Sequence, residues 1–269
     1  MDDTLPGRAR RSVLDIAWRA GLLVAVLVAA GLLVEAWAPP VDDEVSRWAA
    51  GAGGRTGEVV SLCLSRVGDV PGVVVALVVA LAVARRRGRW CDLSAVAVAG
   101  TVELVAFLVV SEVVRRDRPP VASPDAAPFT GAFPSGHTAV ALAVFGALAL
   151  LVRAGTRLRR GLLGGAVLMA VLVGAARVVR GQHRPSEVLA GLVLGAGALS
   201  ITVTVARLRA WAPDISTGEP VTVGPGSEPP ARGATPCGAP RDGRPTVRDA
   251  PHARPGARDD RAEHGHRGP

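Results

Sequence analysis

Six long apolar runs limit what this chain can fold into. They cover roughly 17–38, 58–84, 93–114, 135–152, 161–179 and 186–206. A bilayer core takes about 20 apolar residues per helix, and backbone polar groups in hydrocarbon must be satisfied within the element itself. The pattern therefore predicts an all-α fold, a polytopic membrane helical bundle with six transmembrane helices. Residues 1–16 form a cytoplasmic N-terminal segment and 17–209 the six-helix membrane domain. From Pro213 onward the chain is rich in Pro, Gly, Arg, Asp and Ala without periodicity. Such composition buries no core, so 210–269 reads as a disordered cytoplasmic tail.

Two of the runs carry extra punctuation. Arg8, Arg10 and Arg11 precede the first, and Ala36-Trp37-Ala38 imitates a signal-peptide cleavage site. The run is long for a signal peptide, however, and Pro39 and Pro40 follow at once, so the segment reads as a retained anchor. Residues 39–56 are polar and Gly-rich; Asp42, Asp43, Glu44 and Arg47 alternate with Val41, Val45 and Trp48, the pattern of a short amphipathic helix at the interface. The second run is interrupted at Gly68-Asp69-Val70-Pro71-Gly72, which places its first turns at the outer surface.

The formal net charge is +8, carried by Arg alone, since the chain has no Lys. Basic clusters at 8–11, 85–89, 153–160 and 207–209 fall on one side of a six-span topology together with both termini. The positive-inside rule makes that side cytoplasmic, so the protein is expected in the cell membrane, multi-pass. Anionic lipid explains the arginines better than nucleic acid, which is not expected as a partner. Cys63, Cys91 and Cys237 have neither metal-ligand nor disulfide-scaffold spacing. His252, His264 and His266 lie in the tail, so no metal and no cofactor is expected.

Six arginines break the charge rule: Arg115, Arg116, Arg118, Arg177, Arg180 and Arg184 fall on the outer face. The two histidines outside the tail, His137 and His183, fall there too. Pro134-Ser135-Gly136-His137 opens the fourth helix, where free amides and the helix dipole favour an anion. Arg118 and Arg177 offer planar forks that match phosphate oxygens. Two imidazoles beside a phosphate point to a double displacement, in which one attacks phosphorus and the other protonates the departing oxygen. Glu187, four residues after His183, is placed to hold one ring nitrogen's proton. Glu103, near the middle of the third span, is expected to hydrogen-bond a neighbouring helix.

The stretch from about 111 to 195 resembles the type 2 phosphatidic acid phosphatase superfamily, in its membrane-bound lipid phosphatase branch, which is related to the vanadate-dependent haloperoxidases. Arg118-Pro119 matches the end of its first motif, Pro134 to His137 its second in full, and Arg177, His183 and Glu187 the spacing of its third. The six-helix plan extends the likeness over about 17–206. The resemblance implies His183 as nucleophile, His137 as general acid, and Arg118, Arg177, Ser135 and Gly136 as holders of the phosphoryl group. It implies a lipid phosphate or polyprenyl diphosphate substrate, hydrolysed at the outer face through a phosphohistidine. The family's Lys falls at Ser111, with Arg115 or Arg116 as candidate replacements, and Glu187 stands for the family's Asp. The alternative reading is a catalytically silent member that binds or transports lipid.

Overall fold

The structure is a computed structural model that describes residues 5–52, 54–87, 93–125 and 130–211. The described residues form eight helices: α1 (Leu5–Trp37), α2 (Pro39–Ala52), α3 (Gly54–Gly68), α4 (Val70–Arg87), α5 (Leu93–Val114), α6 (Gly136–Leu150), α7 (Arg157–Val179) and α8 (Pro185–Trp211). No strand occurs among the described residues. The expected tail, Cys91, Cys237 and the tail histidines lie outside them.

Helix occupies all six apolar runs, but not in six equal spans. Four helical segments are long and apolar enough to cross a membrane: Val13–Trp37, Leu93–Val114, Arg157–Val179 and Pro185–Ala206. The run expected at 58–84 is two helices, α3 and α4, bent by 52° at the break, and only as a pair do they pass the same test. The fourth run is α6, apolar but only 15 residues long, or about 22 Å at 1.5 Å per residue. Its position explains why so short a helix suffices. It packs on α5, α7 and α8 together and is buried on almost every side, so protein rather than lipid surrounds it. Val105, Leu108, Leu168 and Leu189 of the surrounding helices instead point outward.

Small residues set the helix spacing. A Cβ added at Gly191 or Gly195 of α8 would lie 2.5 Å from the Ser135 carbonyl oxygen or 2.6 Å from that of Ala139. This small-xxx-small stripe lets α8 lie against the backbone of α6, and one consequence is a hydrogen bond from Ser135 N–H to the Glu187 carbonyl, 3.0 Å. The start of α6, the end of α7 and the start of α8 thus meet at one end of the bundle with the end of α5. Arg153, between α6 and α7, and Arg157, which opens α7, lie at the other.

Candidate active site

His183 owes its place to the way α7 stops. Gly181 follows the helix with φ +67°, a left-handed conformation that costs glycine little. The chain curls back so that Gln182 and His183 both donate their N–H to the Arg177 carbonyl, at 2.9 and 3.3 Å. Pro185 then opens α8, where its missing N–H costs nothing. Glu187, in the first turn, reaches back to accept from the Arg184 N–H at 3.0 Å, as in a capping box.

The same carboxylate oxygen lies 3.0 Å from His183 Nδ1. Arg118 Nη1 lies 3.3 Å from Nε2 of the ring. A guanidinium can only donate, so Nε2 accepts and Nδ1 carries the hydrogen shared with Glu187. Burial, reinforced by the positive charges of Arg118 and Arg177, holds the imidazole well below its ordinary value of 6.5. The ring is therefore neutral, with the Nε2 lone pair on the side of the arginines.

Glu187 is fully buried and is held from behind. Arg116 Nη1 and Arg184 Nη1 both donate to its second oxygen at 3.2 Å. Arg116 also binds Glu35 at 2.6 Å, Asp42 at 3.3 Å and the Ser186 hydroxyl at 2.9 Å, while Arg184 binds Asp43 at 2.5 Å. Four of the six arginines that break the charge rule thus have internal counterions: Arg116 and Arg184 in this cluster, and Arg177 and Arg180 on Asp125.

Arg118 and Arg177 differ from the rest. Arg118 is anchored by a 2.7 Å bond to the Gln182 carbonyl. Arg177 is anchored to the Ser65 hydroxyl at 2.9 Å and Asp125 at 3.3 Å. Each keeps its Nε–H buried without a partner, and among the described residues no other buried side-chain nitrogen or oxygen is left so. Unpaired buried donors are costly, and both belong to guanidiniums whose side chains border one space. Both arginines line a cavity of about 740 Å³ together with His183, His137 and Gly136. The cavity continues between α4 and α5 past Val74, Leu77, Leu104 and Phe107.

His137 enters this cavity from the first turn of α6. Its Nε2 lies 2.6 Å from Asp69 Oδ1, and Asp69 sits in the break between α3 and α4. Sequence reasoning missed Asp69; the only available signal was a carboxylate inside the Gly-Pro interruption at 68–72. It likewise missed Asp42, Asp43, Ser65, Asp125 and Gln182, because nothing in their local spacing ties them to the histidines.

Several expected placements need correction. Arg115 does not face the phosphate site: its side chain is 72 % exposed and pairs with Glu112. Arg116 does not face it either, being consumed by the carboxylates behind Glu187, so neither replaces the family's Lys. Ser111 is buried with its hydroxyl on the Leu108 carbonyl, 3.2 Å. Ser135 offers no free amide, since Glu187 takes it, and its hydroxyl accepts from Thr138 at 3.0 Å. The first-turn amides of Gly136 and His137 make no backbone bond among the described residues. Glu103 has no helix partner there. No group of three or more His, Cys, Asp or Glu among the described residues is arranged to hold a metal ion.

Residues 90–211 match the model of the PAP2 superfamily. A solved structure shares the fold: the transmembrane PAP2-type phosphatidylglycerolphosphate phosphatase from Bacillus subtilis, at 22 % identity and a TM-score of 0.63, over 71 % of this chain and 97 % of that one. Among curated proteins no sequence matches. The matched region contains every element that carries His183, His137, Arg118 and Arg177, whereas α1 to α4, with Asp42, Ser65 and Asp69, lie before it.

Proposed function

We propose that this PAP2 protein is a lipid phosphatase whose site opens at the outer membrane surface. The observation that carries the reading is the pair of buried, unpaired Nε–H groups of Arg118 and Arg177 beside the Nε2 lone pair of His183. The phosphoryl oxygens take those two donors and the first-turn amides of α6, which oppose the charge that builds on them. His183 Nε2 attacks phosphorus in line, and the P–O bond to the lipid breaks. His137 gives its proton to the departing oxygen. Glu187 holds the imidazolium that forms. Water, deprotonated by His137, then splits the N–P bond and releases inorganic phosphate, restoring both rings. The apolar extension of the cavity suits a substrate whose tail stays in the bilayer, and the Bacillus subtilis neighbour's lipid phosphate substrate supports the same class for this chain.

The membrane part crosses six times in this reading, with α3–α4 as one broken crossing and α6 as the short central one. Both termini are then cytoplasmic. The decisive experiment is phosphate release by purified protein from a panel of lipid phosphates and diphosphates, beside His183→Ala. Release that vanadate inhibits, that EDTA spares and that the variant lacks supports the reading. Wild-type protein inert on the whole panel favours the silent lipid-binding alternative, which Ser111 in the lysine position motivates.

A further inference from the structure

The cavity below the phosphate site is walled mostly by apolar side chains, with Thr101 and Glu103 of α5 as polar exceptions; only Glu103 can carry a charge. Glu103 lines it from α5 and is only 4 % exposed. It lies one turn before Phe107, whose ring would sit 3.0 Å from a Cβ on Gly136. Its Cα therefore lies about one helical turn, ~6 Å along α5, from that of the Phe107 that packs against the start of α6. No described residue gives it a hydrogen bond or an ion pair, and its oxygens are not among the enclosed unpartnered atoms, so they reach the cavity surface. A polar group at this depth is unfavourable unless something satisfies it, and the space it faces is the space an occupant of the cavity fills.

We propose that Glu103 is a hydrogen-bonding subsite for the backbone of the lipid, selecting substrates that carry an ester or hydroxyl oxygen within about one helical turn of the phosphoryl group. The inference rests on the lipid phosphatase reading and adds its substrate class: glycerol-based lipid phosphates over polyprenyl phosphates. The carboxyl accepts from a hydroxyl in either form and, when protonated, donates to an ester carbonyl. A polyprenyl chain offers only hydrocarbon at that distance and leaves the carboxyl unsatisfied. Specificity of this kind arises because a buried group built to be bonded disfavours a ligand that cannot bond it.

The test uses full-length purified protein in detergent with two substrates, dioleoyl phosphatidic acid and farnesyl phosphate, and the variants Glu103→Leu and Glu103→Gln. Leucine is compatible with an apolar lining, so the variant folds. The expected result for Glu103→Leu is a fall of about tenfold in the ratio of kcat/KM for phosphatidic acid over farnesyl phosphate, arising through KM. Glu103→Gln, which still donates and accepts, stays within about threefold of the wild-type ratio on the same reasoning. Equal loss on both lipids, or an unmoved ratio, overturns the subsite while leaving the phosphatase reading intact. Wild-type protein inert on both substrates overturns the two together.

Discussion

The His183 imidazole is neutral because it is buried beside two guanidiniums, and that has a consequence for stability as well as for attack. Its folded value lies below 6.5, so its contribution to stability is complete above that pH and is lost as the pH falls toward the lowered folded value. The thermal midpoint of wild type should fall on acidification from pH 6.5, and that of His183→Asn should fall less; parallel curves would contradict the assignment. For catalysis, His183→Ala should reduce phosphate release by at least about 10³-fold, since no neighbouring side chain replaces a removed nucleophile. Arg118→Lys should lower kcat/KM by about 10–100-fold with little change in the thermal midpoint, because an ammonium cannot hold the Gln182 carbonyl and still present the fork. Arg116 belongs to a different class. Its neutral replacement in Arg116→Leu leaves Glu187, Asp42 and Glu35 facing one another, and breaking a buried pair costs about 3–5 kcal/mol. A loss of folded protein, read by size-exclusion chromatography, is expected there before any kinetic effect.

At the scale of elements, the site exists because three helix ends are pinned by backbone contacts. The α6–α8 contact is the tightest of these. Gly191→Ala would press a methyl against the Ser135 carbonyl, which is backbone and cannot swing aside, so α6 and α8 must separate. Activity should drop by about tenfold or more, since small misplacements of catalytic groups are costly; unchanged activity would show that the stripe does not set the site. The break between α3 and α4 plays a separate part by delivering Asp69 to His137. Asp69→Asn should slow turnover of substrates with poor leaving groups more than those with activated ones such as p-nitrophenyl phosphate, since only the former need the proton from a well-oriented acid. Equal slowing of both would point to a merely structural contact.

For the whole molecule, the arrangement places the histidines at one end of the bundle and the α6–α7 link at the other. In a cysteine-free background, Ser123→Cys should react with a membrane-impermeant maleimide in intact cells while Arg153→Cys should not; the reverse pattern would invert the proposed orientation. Removal of everything after Trp211 should leave lipid phosphate hydrolysis largely unchanged in membranes, because none of the groups gathered at the site comes from that part of the chain.

Much of this was legible from the chain itself, for a physical reason. Apolar runs of bilayer length form helices whatever they pack against, and Gly, Pro and Glu near the start of a helix act locally, so the elements and the His183–Glu187 spacing could be read directly. Arg118 and Arg177 stood out because charges on the outer face need a reason. Adjacent residues could not be told apart in the same way. Arg115 points to solvent, Arg116 is locked behind Glu187 and Arg118 faces the cavity, and their sequence context is nearly the same. Only long-range packing separated them: the acidic ends of α1 and α2 captured one, the exit of the chain from α5 turned another outward, and the third was left to line the space between α5 and α6. The same holds for Asp69 and Glu103, whose partners, or lack of them, are set by helices distant in sequence.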